Sequence, residues 1–312
     1  MTYEELLRLL KYNSKESKLF MPNEIFKDMP KSIEKKNHIP FIYSYIYLIT
    51  WFYRYVKYAE VEEVLDNKLI KSILGYSPAN QTLDYLIKRN GLLDQLEYTK
   101  TTRDFPIGWE LIEQDKDLIF FMSSDLDEQS LSYTKKFDKR FFLKRPILAF
   151  QRVVIDEGDE VEIEGTFFDV SNTHNIPFEV FLFCMSNQNL GVFGFYIYSY
   201  LKHKNDLFES GYDVSLDNLA KQTGISLKSV NKYLSYLKRH KLIHCIHNMD
   251  YFVPDLPKEE RLANTYITRE FYSFTKEENP YKKIGFKNLE DYYSHLESIE
   301  YLKEDVDKQM PF

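Results

Sequence analysis

The stretch from Ser215 to Phe252 restricts what this chain can become more than any other. In SLDNLAKQTG, Ser215 is placed to cap a short helix, Leu216, Leu219 and Ala220 form its apolar stripe, and Gly224 sits in the turn that stops it. Ser226 then caps a second helix, LKSVNKYLSYLKRHK, on which Val230, Tyr233, Leu234 and Leu237 recur at helical spacing. One side of that helix is therefore expected to be buried. The other side carries Lys228, Ser229, Asn231, Lys232, Ser235, Lys238 and Arg239, with no carboxylate among them. The segment that follows, LIHCIHNMDYFV, has the β-branched and aromatic content of a hairpin with its tip at Asn248-Met249-Asp250.

Helix, tight turn, helix and hairpin are the parts of a winged helix-turn-helix. A helix with Ser and Asn donors near its start and cations near its end suits the DNA major groove, where the former read base edges and the latter meet phosphate. A winged helix used for protein contacts alone is the alternative. The carboxylate-free face argues against it.

The unit occurs twice in outline. MPNEIF at Met21–Phe26 matches IPFEVF at Ile176–Phe181, and each precedes an aromatic-rich segment, Tyr43–Tyr58 and Val192–Lys204. Asn67–Ser77 then matches Asp217–Ser226, and Leu83–Leu93 parallels Tyr233–Ile243 with Lys-Arg in the same place. Four blocks in one order predict an internal duplication. The expected fold is α+β, with two winged helix-turn-helix domains at 1–130 and 173–254, a basic and acidic connecting segment with a hairpin at 131–172, and an acidic helical tail at 255–312.

The first copy presents a different reading face. Ser77-Pro78 is a helix-start signal, and the exposed residues expected after it are Asn80, Gln81, Thr82 and Asp84, with Lys88 and Arg89 at the end. Asn and Gln can pair with adenine, so this copy is either a second reading head or a drifted module for packing or dimerisation. Between the copies, Lys135–Arg152 holds seven cations and one Asp. Lys139, Arg140, Lys144 and Arg145 within it could track phosphate, or lie on a solvated helix face that runs into a strand. Val153–Glu164 then reads as a hairpin turning at Asp156–Asp159, whose six carboxylates fit an exposed edge strand better than a cation site.

Composition limits the remaining options. A chain of 312 residues with 44% hydrophobic content can bury two cores. It has no apolar run of membrane length, and its amphipathic start MTYEELLRLLKY is not a signal peptide. Cys184 and Cys245 are the only cysteines, which fits a reducing cytoplasm. The net charge of −7 does not exclude nucleic acid, because binding follows the local field. Trp109–Met122 reads as a hairpin around Gln114–Asp117, an elongated wing of the first copy. In the tail, Leu289, Tyr292, Leu296, Ile299 and Val306 predict an amphipathic helix over Asn288–Asp307, docked on its own domain or offered to a second copy or another protein.

No catalytic constellation emerges. There is no G-x-x-x-x-G-K-[ST] phosphate loop. His240, His244, Cys245 and His247 cluster in sequence, but on a strand His244 projects opposite to Cys245 and His247, which disfavours zinc. No enzyme, cofactor or metal is expected.

The order ΦPxEΦF, aromatic helix, LAKQTGIS, lysine-rich helix and wing resembles the helix-turn-helix domains of DnaD-like primosomal proteins and of plasmid and phage replication initiators of low-GC Gram-positive bacteria. The resemblance covers Thr173–Phe252, and Leu19–Tyr98 more loosely. It implies Lys228, Ser229, Asn231 and Lys232 on base-reading turns, with Arg239 and Asn248 on the backbone, and the capping Ser226 completes the candidate DNA-binding set of this copy. The expected function is sequence-specific binding of double-stranded DNA at a replication origin, with transcriptional control at an operator or a DNA-free interaction scaffold as alternatives. A homodimer, or a host replication or transcription protein held by the tail, are the expected protein partners.

Overall fold

Two short strands from distant parts of the chain, β1 (Phe20–Pro22) and β8 (Thr173–Asn175), pair antiparallel with Phe20 opposite Asn175 and Met21 opposite His174. When MPNEIF is laid on IPFEVF, Phe20 and Asn175 occupy the same position, so each faces its own counterpart. The same separation along the chain relates Ile42-Tyr43-Ser44-Tyr45 to Ile197-Tyr198-Ser199-Tyr200. This is the pairing that a local two-fold axis imposes. The computed structural model describes residues 1–112, 117–126, 141–149, 151–156, 159–164 and 170–309, and it is a mixed α+β protein built on small sheets.

The aromatic helices α3 (Ile39–Arg54) and α9 (Gly191–Leu207) pack against each other beside these strands. Every residue of α3 from Ile39 to Tyr53 is buried, as an all-round apolar helix requires. Rings from the two halves interleave: Trp51 stacks on Phe178 at 4.0 Å, and Tyr47 meets Phe195 edge-on at 4.8 Å. Buried phenols favour hydrogen-bond partners, and several here tie two elements together. Tyr47 donates to the Ile176 carbonyl (2.8 Å), Tyr196 to the Thr223 carbonyl (2.9 Å) and Tyr198 to the Arg269 carbonyl (2.8 Å). Tyr45 donates to Asn67 and Tyr200 to Gln222, so each aromatic helix is tied to the next long helix of its own half.

The first half contains α1 (Tyr3–Leu10), α2 (Ile25–Ser32), α3, α4 (Lys57–Glu60) and α5 (Asn67–Ile73). Leu6 and Leu10 of α1 are buried against α8 (Phe178–Ser186), an element of the other half, so one core runs through both. The segment after α5 departs from the sequence expectation. Ser77-Pro78 starts no helix. Asn80 instead caps a single turn at Gln81–Leu83, which leads into α6 (Asp84–Ile87), and α7 (Leu92–Gln95) follows a break. Asn90 adopts φ +54°, and a Cβ on Gly91 would lie 2.7 Å from the Leu86 carbonyl oxygen, so the chain turns where the second half has continuous helix.

The two halves match again at the helix ends. Glu97 at φ +60° is followed by a bond from the Tyr98 N–H to the Leu93 carbonyl, and Lys241 at φ +59° by one from the Leu242 N–H to the Leu237 carbonyl. The counterparts of Lys238-Arg239 are therefore Asp94-Gln95, not Lys88-Arg89. Beyond α7, β2 (Thr99–Thr102) pairs with β5 (Leu143–Pro146), and the hairpin of β3 (Pro106–Ile112) and β4 (Asp117–Met122) lies between them, as Trp109–Met122 predicts. The acidic hairpin also forms, from β6 (Gln151–Asp156) and β7 (Asp159–Glu164).

In the second half, α8 and α9 lead to β9 (Tyr212–Val214), α10 (Leu216–Thr223), α11 (Leu227–Arg239) and β10 (Ile243–Ile246). The strand beside β10 is β12 (Asn264–Thr268), which also pairs with β9. The expected hairpin with its tip at Asn248–Asp250 is therefore overturned. Tyr251–Phe252 forms β11, which runs into Pro254 and pairs instead with β13 (Gly285–Phe286), while the β-branched Asn264–Thr268 completes the sheet from beyond the boundary expected at 254. The tail helix α12 (Leu289–Gln309) forms as predicted and touches its own half, with Tyr293 donating to Glu260 and His295 packed edge-on against Tyr251, but its stripe is only partly covered: Leu296 is 41% exposed and Leu289, Tyr292 and Ile299 are half-buried, while the Val306 side chain lies outside the described residues.

Two predictions follow from this packing. Gly224 and Gly75 both close a helix at positive φ, +70° and +80°, but a Cβ on Gly224 would meet Pro30 at 2.8 Å and Ile39 at 3.0 Å across the two halves, whereas Gly75 has nothing within 4 Å. Gly224→Ala should lower the thermal midpoint clearly more than Gly75→Ala, and equal losses would mean that the halves do not meet at α10 and α2. The second concerns His174, buried between the Tyr43 hydroxyl (2.7 Å) and Asn23 Oδ1 (2.9 Å) and near His203, their rings 5.7 Å apart. Burial, reinforced by His203 and Lys202, pushes the His174 imidazole well below its ordinary range, and burial with Lys204 lowers His203 to about 4. The folded state refuses protons that the unfolded chain accepts near pH 6.5, so stability is complete above that pH and lost as pH falls toward 4. Unfolding free energies from urea titrations should drop between pH 7 and 5, by at most roughly 1.4 kcal/mol per pH unit from the fully buried His174 and by less from the partly exposed His203. His203→Gln should flatten the profile, and an unchanged slope would contradict the assignment.

Candidate nucleic-acid interface

Helix α11 forms as its sequence requires. The Ser226 hydroxyl oxygen accepts from the Ser229 N–H (3.1 Å), Gly224 turns the chain just before it, and Val230, Leu234 and Leu237 are buried. Tyr233 is half-buried and stacks on Phe193 of α9 at 4.9 Å, with the rings 8° from parallel. The first two turns of the outer face are open. Ser226, Lys228, Asn231 and Lys232 are exposed, Ser229 is half-buried against the Ser226 hydroxyl, and Leu227 adds an apolar contact surface that the sequence reading did not include. Lys232 lies over the rings of Tyr233 and Tyr236, which directs its ammonium along the helix.

The last turns are covered by the tail. Backbone N–H groups of Thr275 and Asn279 donate to the His240 and Arg239 carbonyls at 3.0 and 2.8 Å, laying residues 275–281 along the end of α11. The Ser235 hydroxyl meets the Tyr281 hydroxyl at 2.9 Å, and the Lys238 ammonium sits 4.3 Å from the Tyr281 ring centre. Arg239 donates to Glu278 at 2.8 Å, and Glu278 also accepts from Asn189. Ser235, Lys238 and Arg239 are thus held by the chain's own tail, a correction to their expected exposure. Asn248 is corrected as well: its amide donates to the Ala263 carbonyl (2.7 Å) and the Thr265 hydroxyl (2.9 Å), bracing the start of β12.

In the first half the expected face is not assembled. The Asn80 side chain accepts from both the N–H and the hydroxyl of Thr82, and its carbonyl accepts from Lys71, which is also paired with Asp84. Gln81, Thr82, Lys88 and Arg89 are exposed, but on a broken segment, and the Arg89 guanidinium lies over the Phe142 ring. Lys144 is buried at 3% exposure and donates to Asp94 (2.6 Å), Thr101 (2.7 Å) and the Lys88 carbonyl (2.9 Å). Burial lowers the Lys144 ammonium, with Asp94 opposing it. Burial also opposes ionisation of Asp94, yet Lys144, Thr101 and Thr99 hold its carboxyl below the usual range. Lys144 is a structural cation and not the phosphate ligand expected. Arg145 is exposed on β5, and Lys139 and Arg140 lie outside the described residues.

The histidine cluster serves structure: His240 bonds the Thr275 carbonyl and Asn187, and burial raises the Cys245 thiol. Among the described residues, no group of three or more His, Cys, Asp or Glu is placed to hold a metal, and no helix is long and apolar enough to cross a membrane. Compared with protein-family models, curated proteins and solved structures, the chain matches none.

Removing one partner of a buried ion pair leaves the other charge uncompensated. Lys144→Ala should therefore cost about 3–5 kcal/mol of unfolding free energy, while Lys88→Ala and Arg89→Ala stay within about 0.5 kcal/mol, as exposed positions do. Comparable urea midpoints for all three variants would contradict the buried role of Lys144.

Proposed function

We propose that the chain is a sequence-specific double-stranded DNA-binding protein, a duplicated winged helix-turn-helix in which the second copy reads DNA and the first copy serves packing. The observation that carries this reading is the open start of α11. There Ser226, Lys228, Asn231 and Lys232 are exposed, with no carboxylate on those turns and the positive end of a helix dipole behind them. The broken segment Gln81–Gln95, with Asp94-Gln95 where α11 has Lys238-Arg239, supports a single reading head. Initiation of replication on a plasmid or phage origin is the role we favour. Footprinting on DNA flanking the gene separates it from transcriptional control, because iterated repeats would be protected in the first case and a promoter in the second.

Binding by fluorescence anisotropy tests the interface itself. Asn231→Ala should cost on the order of 1–3 kcal/mol at the specific site and little on random duplex, because a bidentate base contact is lost while phosphate contacts remain. Lys228→Ala and Lys232→Ala should weaken both and flatten the log–log salt dependence by about 0.9 for each lost phosphate contact. Asn80→Ala with Gln81→Ala should leave both unchanged. Unaltered binding by the α11 variants would remove this helix from the interface.

A further inference from the structure

The tail that covers the end of α11 also walls a cleft of about 230 Å³, lined by Lys238, Lys241, His244, Arg269, Tyr281 and Lys282 among others, with no carboxylate in its lining. It lies between the end of α11, the start of β10, the residue after β12 and the tail. Four formal cations converge there in a chain whose net charge is −7. Among the described residues none of the four forms an ion pair, whereas the neighbouring Arg239 is paired with Glu278.

The walls are fixed without using the charges of Lys241, Arg269 or Lys282. The Arg269 N–H donates to the Leu242 carbonyl (2.9 Å), and the Arg269 carbonyl accepts from Tyr198 of the buried helix α9. Lys241 is set by its left-handed backbone, and Tyr281 by Ser235 and the Lys238 ammonium. Like charges gathered in a concavity focus a positive potential that a compact anion relieves. A guanidinium fork with ammonium groups around it matches the oxygens of phosphate better than a single carboxylate. The volume holds one phosphate group with a small substituent and is below that of common drug-sized pockets, roughly 300–1,000 Å³.

We propose that this cleft is a binding site for a phosphate group, taken up by Lys241, Arg269 and Lys282 and closed on one side by Tyr281. The site stands whether or not α11 reads DNA. Its phosphate comes either from a free phosphorylated small molecule or from a nucleic-acid backbone.

Calorimetric titration of the full chain with inorganic phosphate and with adenosine 5′-monophosphate, at ionic strength held constant with sodium chloride, tests it. Saturable one-to-one binding is expected. It should weaken at least tenfold in Lys241→Ala/Arg269→Ala and several-fold in Lys282→Ala, an exposed tail position whose loss should leave the thermal midpoint unchanged. Lys221→Ala/Lys258→Ala, in a separate cleft beside α10, should bind like the parent chain. Displacement of the nucleotide by saturating duplex would identify the backbone as the source, and simultaneous binding would identify a free ligand. Absence of saturable binding, or equal binding by the Lys241/Arg269 variant, would overturn the site. Because the titration needs no DNA, that failure would leave the DNA reading untouched, and loss of duplex binding with phosphate binding retained would do the reverse.

Discussion

Helix α3 has no face that water can cover. Its residues from Ile39 to Tyr53 are all buried, covered from the second half of the chain by α9, the rings of α8 and His174 of β8, and from its own half by α2, α4 and β5. Burying a ring of this size contributes roughly 1.5–3 kcal/mol, so the ring contacts between the halves contribute to the core of both. The phenols then fix how the halves meet. Tyr43 reaches His174 and Tyr47 reaches the Ile176 carbonyl, each in a setting where an unmade hydrogen bond would be costly. The position of α11 follows from this arrangement, since Tyr233 rests on Phe193 of α9.

Around that shared interior the halves differ. The second keeps a continuous helix with an open cationic start and a covered end. The first replaces it with two short turns, and its Asp94 is committed to a buried ammonium. A two-fold arrangement of strands and aromatic helices therefore carries an asymmetric outer surface, which is the asymmetry that the proposed single reading head requires.

Features set by local physics were legible in the sequence. The caps at Ser215 and Ser226, the turn at Gly224 and the buried stripe of α11 depend on neighbours within a few residues, and all formed as expected. The break at Asn90-Gly91 was equally local, but the alignment of Lys88-Arg89 with Lys238-Arg239 hid it, and the helix ends place the true correspondence at Asp94-Gln95. The partner of β10 was not legible, because a strand's mate is chosen by register across a long loop, and Asn264–Thr268 carries no mark of belonging to it. Nor was the burial of Lys144, which a run of cations disguises as solvated surface. The cover that Glu278 and Tyr281 place over Arg239 and Ser235 likewise arises from packing alone.

Hydrogen exchange on the full chain, with and without saturating duplex, distinguishes the two halves without any substitution. Added protection should be confined to Ser226–Lys232 at the open start of α11, with Gln81–Gln95 exchanging as in the free protein. Unchanged exchange at Ser226–Lys232, or protection centred on Gln81–Gln95, would contradict the assignment of DNA reading to the second half.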